Sequence, residues 1–212
     1  MTPSPVAGLL RAARLVAVLT VHEVAHAVPL ARALVAGGVR TLEVTLRTPA
    51  GAAAAAAMCD AVPDAVVGLG TVLTPKDVQL VRTLGLPFAF SPGATPELLD
   101  AATALGVPFV PGVATASELM AVLQRGFPVA KLFPAEQVGG VAAIRALAGP
   151  FPGALFNPTG GVTEANMGAY LALPSVVAVG GSWLAPPADV AAGNWDAITQ
   201  RAKRAMELAQ AA

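Results

Sequence analysis

The sequence repeats one pattern along most of its length. A short apolar or β-branched run is followed by a break at glycine, proline or threonine, and then by a stretch with the 3.6-residue apolar spacing of a helix. The eight apolar runs are LVAVL, TLEVTL, VVGLGTV, FAFSPG, PFVPGV, VAKLFP, ALFNPTGG and VVAVGGSWL. Strands that alternate with helices form a parallel sheet with right-handed crossovers, so eight such units predict an α/β fold closed into a (β/α)8 TIM barrel. An open doubly wound sheet is the alternative, but no G-x-G-x-x-G follows the first run.

Length and composition fit this prediction. A chain of 212 residues can bury a sizeable core as one unit, so we expect a single barrel domain over residues 1–212. The run GAAAAAAM falls where a crossover helix is due, and alanine is the best helix former. Although 55% of the residues are hydrophobic, charges, proline or glycine interrupt every apolar stretch before the roughly 18 residues that span a bilayer. We therefore expect no membrane span, and the absence of a recognisable secretory signal predicts a cytoplasmic location.

Charge and cysteine content exclude further classes of function. Thirteen basic residues balance thirteen acidic ones without a basic stripe, so we expect no nucleic-acid partner. The basic run RAKRAMELAQ is predicted to be the exposed face of a last helix. Cys59 is the single cysteine, which excludes an internal disulfide or a cysteine-based zinc cluster, and it is predicted to be a small core residue.

Lys131 is unusual because it lies in an apolar run, VAKLFPAE, that is typical of a buried strand. Lys76 and Lys203, in contrast, lie among polar neighbours on predicted helices. A buried ammonium costs several kcal/mol unless it is neutralised or paired. Either Lys131 reaches water or pairs with a carboxylate, or it is held unprotonated as a nucleophile.

Residues suited to chemistry or binding, most of them polar, occur late in several predicted strands. In a TIM barrel the carboxyl ends of the strands carry the active site, so these residues should converge there. They are Glu43, Arg47, Thr71, Ser91, Pro92, Lys131, Phe133, Thr159 and Ser182. Taken singly, Glu43 could pair with Arg47, and Thr71 and Thr159 could cap helices. Taken together, an amine beside a carboxylate is typical of Schiff-base chemistry.

Two glycine doublets, PTGG and VGGSW, end the seventh and eighth predicted strands. Glycine lets backbone N–H groups approach a ligand closely, and the loops after these two strands often bind phosphate in barrels. The doublets therefore predict an anion site, with ordinary turns as the alternative.

The segment HEVAH, His22 to His26, fits the H-E-x-x-H pattern of zinc hydrolases. The chain has no other histidine, so a third ligand would have to be a carboxylate. We interpret the match as chance and expect two surface histidines near the start of the first crossover helix, with a zinc hydrolase as the distant alternative.

The segments LEVTLRT, GLGTVL, FAFSPG, VPGVATASEL, KLFPAE, PTGGV and VGGSWL occur in an order and spacing that resembles the 2-dehydro-3-deoxy-phosphogluconate (KDPG) aldolase family, from about Leu15 to the C-terminal helix. The family also contains 4-hydroxy-2-oxoglutarate (KHG) aldolases. The resemblance implies a class I aldolase barrel, usually a homotrimer, that uses neither metal nor organic cofactor and acts on a phosphorylated 2-keto-3-deoxy sugar acid in the Entner–Doudoroff pathway.

The same resemblance implies a role for each matching residue. Lys131 matches the Schiff-base lysine and Glu43 the glutamate that shuttles protons. Arg47 and Thr71 match the groups that hold the pyruvate carboxylate. The expected substrate-binding residues are completed by Pro92, Phe133, Thr159, Gly160, Gly161, Gly181 and Ser182. Three competing hypotheses stay open: an aldolase acting on 4-hydroxy-2-oxoglutarate, the zinc hydrolase, and a barrel that binds a phosphorylated ligand without catalysis.

Overall fold

The computed structural model describes residues 5–212 and forms a closed parallel barrel with helices on its outside. The predicted (β/α)8 barrel is confirmed. The strands are β1 (Arg14–Leu19), β2 (Thr41–Thr45), β3 (Val66–Gly70), β4 (Ala89–Phe90), β5 (Phe109–Val110), β6 (Gly112–Val113), β7 (Val129–Leu132), β8 (Leu155–Phe156) and β9 (Ala178–Gly181). Every strand pair is parallel, as expected when helices provide the crossovers.

Nine strand segments form eight barrel strands because the fifth is interrupted at Pro111. Six segments are hydrogen-bonded in the order β5, β4, β3, β2, β1, β9, and three in the order β6, β7, β8. Proline has no N–H to donate to a ladder, and the neighbouring Gly112 N–H donates to the Ser91 side chain at 3.3 Å instead. Two isolated parallel bridges, from Phe156 to Val176 and from Thr159 to Gly180, join β8 and the segment after it to β9 and the segment before it, and so close the barrel.

Helices follow the strands on the outside of the barrel. They are α1 (Pro5–Ala13), α2 (Ala27–Ala36), α3 (Gly51–Ala61), α4 (Pro75–Thr83), α5 (Pro96–Ala104), α6 (Ala116–Gln124), α7 (Gly140–Ala148), α8 (Met167–Leu171), α9 (Pro187–Ala191) and α10 (Trp195–Ala211). Thr74, Thr95 and Thr115 cap α4, α5 and α6 through their hydroxyls, which explains where these helices begin. None of the helices between residues 5 and 212 is both long and apolar enough to cross a membrane.

The first helix was not predicted, and it closes the amino-terminal end of the barrel. Val6 and Leu10 on α1 are buried in a cluster with strand residues that include Val16 and Val129. The arginine that begins β1, Arg14, donates from Nε to the carbonyl of Ala209 at 2.6 Å and so joins the barrel to α10. This apolar cluster leaves only the carboxyl end of the barrel open for polar chemistry.

Several smaller predictions can be compared with the structure. The alanine-rich run forms α3, and the basic run near the C-terminus lies on α10, with Lys203 exposed. Cys59 is only half-buried against the core, and burial, followed by the nearby Asp60 charge, raises the pKa of its thiol. A larger core of apolar side chains fills the space between the strands and the outer helices.

Candidate active site

The centre of the candidate site is a buried ion pair between Lys131 on β7 and Glu43 on β2. The Lys131 Nζ lies 2.8 Å from Glu43 Oε1, and the two side chains are 4% and 1% exposed. The two residues come from strands on different sides of the barrel, 88 positions apart in sequence. Of the alternatives for Lys131, the structure shows pairing with a carboxylate, and the partner of Glu43 is this lysine rather than Arg47.

The surroundings of the pair are largely apolar. The rings of Phe90 and Phe133 have their centroids 5.1 and 5.6 Å from the Lys131 Nζ, close enough for cation–π attraction. The second carboxylate oxygen of Glu43, Oε2, is buried and has no hydrogen-bond partner among residues 5–212. A buried acceptor without a partner is uncommon in folded proteins and is often explained by function. Glu43 therefore presents one oxygen to the amine and keeps the other free.

Glycine at position 70 makes room for Glu43. A Cβ atom added to Gly70 would lie 2.1 Å from Glu43 Oε1 and 2.5 Å from its Cγ, distances that no real structure accommodates without movement. Gly70 does not have a left-handed backbone, so space, and not conformation, requires glycine here. The segment GLGTVL led to the prediction that Thr71 binds substrate, but nothing in the sequence indicated a role for Gly70.

We expect Gly70→Ala to reduce turnover by about 10-fold or more while the protein stays folded, because the added methyl group moves the Glu43 carboxylate away from Lys131 and misplacement by about 1 Å can cost about 100-fold in rate. Steady-state kinetics together with a thermal melt check this expectation. Gly68→Ala is not a suitable control, because its Cβ would meet the ring of Phe88. Gly8→Ala on the exposed face of α1, where no atom lies within 4 Å and the backbone is helical, tests the effect of a methyl group at a remote glycine. Normal turnover in Gly70→Ala would contradict this role.

Thr71 follows β3 with a strained backbone. Its φ is +59°, in the left-handed region that β-branched residues rarely adopt. The interpretation of Thr71 as a helix cap is wrong, because Thr74 caps α4. Thr159 is not a cap either, since the next helix, α8, begins at Met167. Strain of this kind persists where the surrounding structure imposes it, and such residues cluster at functional sites.

A cavity of about 350 Å³ opens next to the buried pair, at the carboxyl ends of the strands. It is lined by Val18, Arg47, Phe133, Pro134, Gln137, Thr159, Gly160, Gly161, Val162, Gly180, Gly181 and Ser182. Seven of the predicted substrate-binding residues are therefore brought together: Arg47, Phe133, Thr159, Gly160, Gly161, Gly181 and Ser182. Phe133 belongs both to this cavity and to the surroundings of Lys131, so it connects the two.

Backbone groups shape the outer part of the cavity. Gly160 and Gly161 have φ values of +99° and +77°, which explains why both positions of this doublet are glycine. A Cβ atom on Gly181 would lie 1.5 Å from the Trp183 ring, so the second doublet is required by close packing. Ser182 and Arg47 are both exposed at the mouth of the cavity, and the guanidinium of Arg47 gives the cavity a positive charge.

Two of the predicted substrate-binding residues lie outside this cavity. Thr71 and Pro92 are half-buried and are not among its lining residues. The backbone of Pro92 instead contacts Gly112, where an added Cβ would lie 2.1 Å from the Pro92 carbonyl carbon. Conversely, Val18 and Gln137 line the cavity but were not predicted to do so. Valine and glutamine are common at many kinds of position, so their residue type gives no indication that they face a cavity.

A second polar pair supports the loop after β7. The hydroxyl of Tyr170, a fully buried residue of α8, donates to Glu136 Oε1. Burial, followed by this hydrogen bond and the negative charge of Glu136, raises the pKa of Tyr170 above its ordinary value. In the same loop, Ala135 N donates to Thr159 O and Glu136 N donates to Gly160 O. The loop after β7 is therefore attached to the first glycine doublet.

The HEVAH segment does not form the arrangement that the zinc-hydrolase pattern requires. His22 and Glu23 precede a 3₁₀ turn over Val24–His26, with Glu23 in an extended conformation, so the two histidines do not share one helical face. His22 is exposed, and His26 packs against the Trp195 ring with centroids 5.8 Å apart. Both histidines lie near the start of the first crossover helix as expected, but only His22 is exposed, because His26 is half-buried.

Sequence comparison places the chain near known aldolases. A family model described as "KDPG and KHG aldolase" matches residues 6–201. The chain is 51% identical over 191 residues to 2-dehydro-3-deoxy-phosphogluconate aldolase of Pseudoalteromonas atlantica, covering 90% of this chain and 89% of that protein. It is 50% identical over 200 residues to KHG/KDPG aldolase of Escherichia coli, covering 94% of each.

The solved structures that this chain resembles include aldolases of the same family. KDPG aldolase from Legionella pneumophila, with pyruvate captured as a covalent carbinolamine intermediate, superposes with a TM-score of 0.91 at 41% identity and covers 96% of this chain and 98% of its own. The aldolase of Zymomonas mobilis with 3-phosphoglycerate superposes with a TM-score of 0.87 at 42% identity, covering 93% of each chain.

Proposed function

The chain belongs to the KDPG and KHG aldolase family, and from this premise we propose that it is a class I aldolase that cleaves 2-dehydro-3-deoxy-6-phosphogluconate into pyruvate and glyceraldehyde 3-phosphate. The observation that carries the proposal is the buried contact of 2.8 Å between Lys131 Nζ and Glu43 Oε1 below a cavity lined by glycine doublets. An amine and a proton acceptor at hydrogen-bond distance are the two groups that Schiff-base catalysis needs.

The first half of the reaction forms the covalent intermediate. Glu43 accepts a proton from Lys131 Nζ, whose lone pair then adds to the C2 ketone of the substrate. A second proton passes from Nζ to the C2 oxygen, which gives a neutral carbinolamine with a C2 hydroxyl. Glu43 returns the proton to the C2 hydroxyl, the C2–O bond breaks, and water leaves. The resulting iminium is the electron sink for the next step.

The second half breaks the carbon–carbon bond. Glu43 removes the proton from the C4 hydroxyl, the electrons of the C3–C4 bond move into the iminium, and glyceraldehyde 3-phosphate leaves. The enamine that stays on Lys131 takes a proton at C3, and water releases pyruvate. We assign the pyruvate carboxylate to Arg47, whose planar guanidinium can bind it through two hydrogen bonds, and to Thr71. We assign Pro92 and Phe133 to the walls around the reacting carbons.

The distal end of the substrate lies in the outer cavity in this proposal. Thr159, Gly160, Gly161, Gly181 and Ser182 hold the distal hydroxyl and the phosphate, mainly through backbone N–H groups. Support comes from their place on one cavity and from the positive φ of the first doublet. The second candidate substrate is 4-hydroxy-2-oxoglutarate, which yields pyruvate and glyoxylate, because a relative with half of its residues identical carries both substrates in its name.

We expect Ser182→Asp to lower kcat/KM for the phosphorylated substrate by about 10- to 100-fold more than for 4-hydroxy-2-oxoglutarate. A carboxylate at the mouth of the cavity repels the phosphate dianion and replaces a charge-assisted hydrogen bond worth about 1.5 to 3 kcal/mol. Ser182→Asn is the matched control, because it has the same shape without the charge. The measurement is kcat/KM for both substrates in the three proteins, with pyruvate release coupled to a reporter reaction.

An equal fall for both substrates in Ser182→Asp would show that the glycine doublets are ordinary turns and would remove the phosphate assignment. The aldolase activity itself has a separate test, since purified protein should release pyruvate and glyceraldehyde 3-phosphate in equal amounts from the phosphorylated substrate. A protein that binds this substrate without releasing either product would be the noncatalytic barrel considered above.

We also propose that the protein is a homotrimer and acts in the cytoplasm, in the Entner–Doudoroff pathway of carbohydrate metabolism. These proposals rest on the family resemblance and on the composition of the sequence. Light scattering on the purified protein tests the assembly, and cell fractionation tests the location.

A further inference from the structure

Asn157 is a buried polar residue to which no role has been given above. It follows β8 and is fully buried. Its backbone N–H donates to the Ala130 carbonyl at 2.9 Å, which continues the β7–β8 ladder and makes Asn157 the cross-strand neighbour of Lys131. Neighbours in a parallel ladder present their side chains on the same face of the sheet. The side chain of Asn157 therefore stands beside that of Lys131 inside the barrel.

The amide of Asn157 is only half satisfied. Its Oδ1 accepts a hydrogen bond of 3.2 Å from the Thr159 hydroxyl, which orients the amide and directs Nδ2 away from Thr159. Nδ2 itself is buried and has no partner among residues 5–212. A buried donor without a partner costs about 1 to 3 kcal/mol, so such a group usually has a reason to be kept.

Two unsatisfied atoms thus belong to the side chains next to the amine of Lys131. Glu43 Oε2 is a free acceptor on the carboxylate that contacts Nζ, and Asn157 Nδ2 is a free donor on the residue beside Lys131. One donor and one acceptor without partners match a single hydroxyl group or water molecule, which can accept from the amide and donate to the carboxylate.

On the basis of the proposed aldolase function, we infer that Asn157 Nδ2 donates a hydrogen bond to the C2 oxygen of the substrate. The bond stabilises negative charge that develops on this oxygen while Lys131 Nζ adds to C2. In the next step Asn157 holds the hydroxyl while Glu43 delivers a proton and the C2–O bond breaks. In the reverse direction the same pair holds the water that hydrolyses the iminium.

The C2 oxygen fits better than the C4 hydroxyl because C2 is the carbon bonded to Nζ. Asn157 is the direct neighbour of Lys131 in the ladder, whereas C4 lies two carbons further along the substrate. Asn157 should therefore matter even for pyruvate, which has a C2 oxygen and no C4 hydroxyl. This difference makes the assignment testable.

The experiment measures how fast borohydride reduction in the presence of pyruvate adds mass to Lys131, in wild type, Asn157→Leu and Asn157→Ala. We expect both variants to be trapped about 10²- to 10³-fold more slowly, because removing one preorganised donor from a reacting oxygen typically costs about that much in rate. Two variants are used because leucine keeps the branched shape and alanine avoids overpacking. Asn194→Ala, an exposed asparagine whose amide donates to Asp189, is the control and should be trapped at the wild-type rate.

Trapping at the wild-type rate in either folded variant would overturn the inference. If the variants cleave the full substrate slowly but trap pyruvate at the normal rate, Asn157 would act on the C4 hydroxyl, and the C2 assignment would be overturned. A lower melting temperature with unchanged trapping would show a purely structural role. If wild type itself is not trapped, the proposed aldolase function fails first, so the two failures can be distinguished.

Discussion

Borohydride reduction in the presence of pyruvate should add one reduced pyruvate to Lys131 and none to Lys76 or Lys203. Lys131 is 4% exposed and contacts a carboxylate that can take its proton, whereas the other two lysines are exposed on α4 and α10. Only an amine that gives up its proton can add to the C2 ketone. Mass mapping of the reduced protein identifies the modified residue, and omission of pyruvate is the control.

Replacing the same residue should remove the activity. We expect Lys131→Met to lower turnover by at least about 10⁴-fold, because loss of the nucleophile from a covalent mechanism has effects of this size or larger. Methionine has a similar length, but it leaves Glu43 buried without its partner, which can cost about 3 to 5 kcal/mol of stability. The thermal melt is therefore measured with the kinetics. A folded Lys131→Met protein with substantial turnover would contradict the Schiff-base mechanism. If wild type shows no turnover and both proteins bind the substrate, the noncatalytic barrel would be favoured instead.

The second large effect concerns Glu43. We expect Glu43→Gln to fold and to lose about 10²- to 10⁴-fold in turnover, the usual value of a positioned proton carrier. Glutamine keeps the shape of the side chain and an oxygen for Lys131 Nζ, but it cannot carry the proton between Nζ, the C2 hydroxyl and the C4 hydroxyl. Circular dichroism and steady-state kinetics are the measurements.

Two controls accompany this variant. Glu23→Gln changes an exposed glutamate of the HEVAH segment and should leave turnover unchanged. Treatment of wild type with a chelator should also leave turnover unchanged, and a loss of activity would revive the metal hypothesis. Turnover near the wild-type value in a folded Glu43→Gln protein would contradict the role of this residue.

The segments HEVAH and VAKLFPAE show which kind of local sequence pattern is a good guide to a functional site. HEVAH needs only a helix to become a metal site, but the chain enters α2 through a 3₁₀ turn, so His22 and Glu23 stay outside the helix. In VAKLFPAE, the charge stands in a strand that is buried whatever its partners are, so the sequence alone shows that Lys131 must be compensated. A motif that requires a particular backbone conformation is a weaker guide than a residue whose burial is costly.

The sequence by itself determined that the chain forms a barrel, and it singled out Lys131, Glu43 and the glycine doublets as candidate site residues at the carboxyl end of the strands. These features follow from periodicity and from residue types that are expensive or unusual where they occur, and both are local properties of the chain. Only the tertiary structure decided that Glu43 pairs with Lys131 and not with Arg47, that Gly70 makes room for the carboxylate, and that Asn157 stands beside the lysine. Each of these depends on the register and closure of strands far apart in sequence, which no local pattern records.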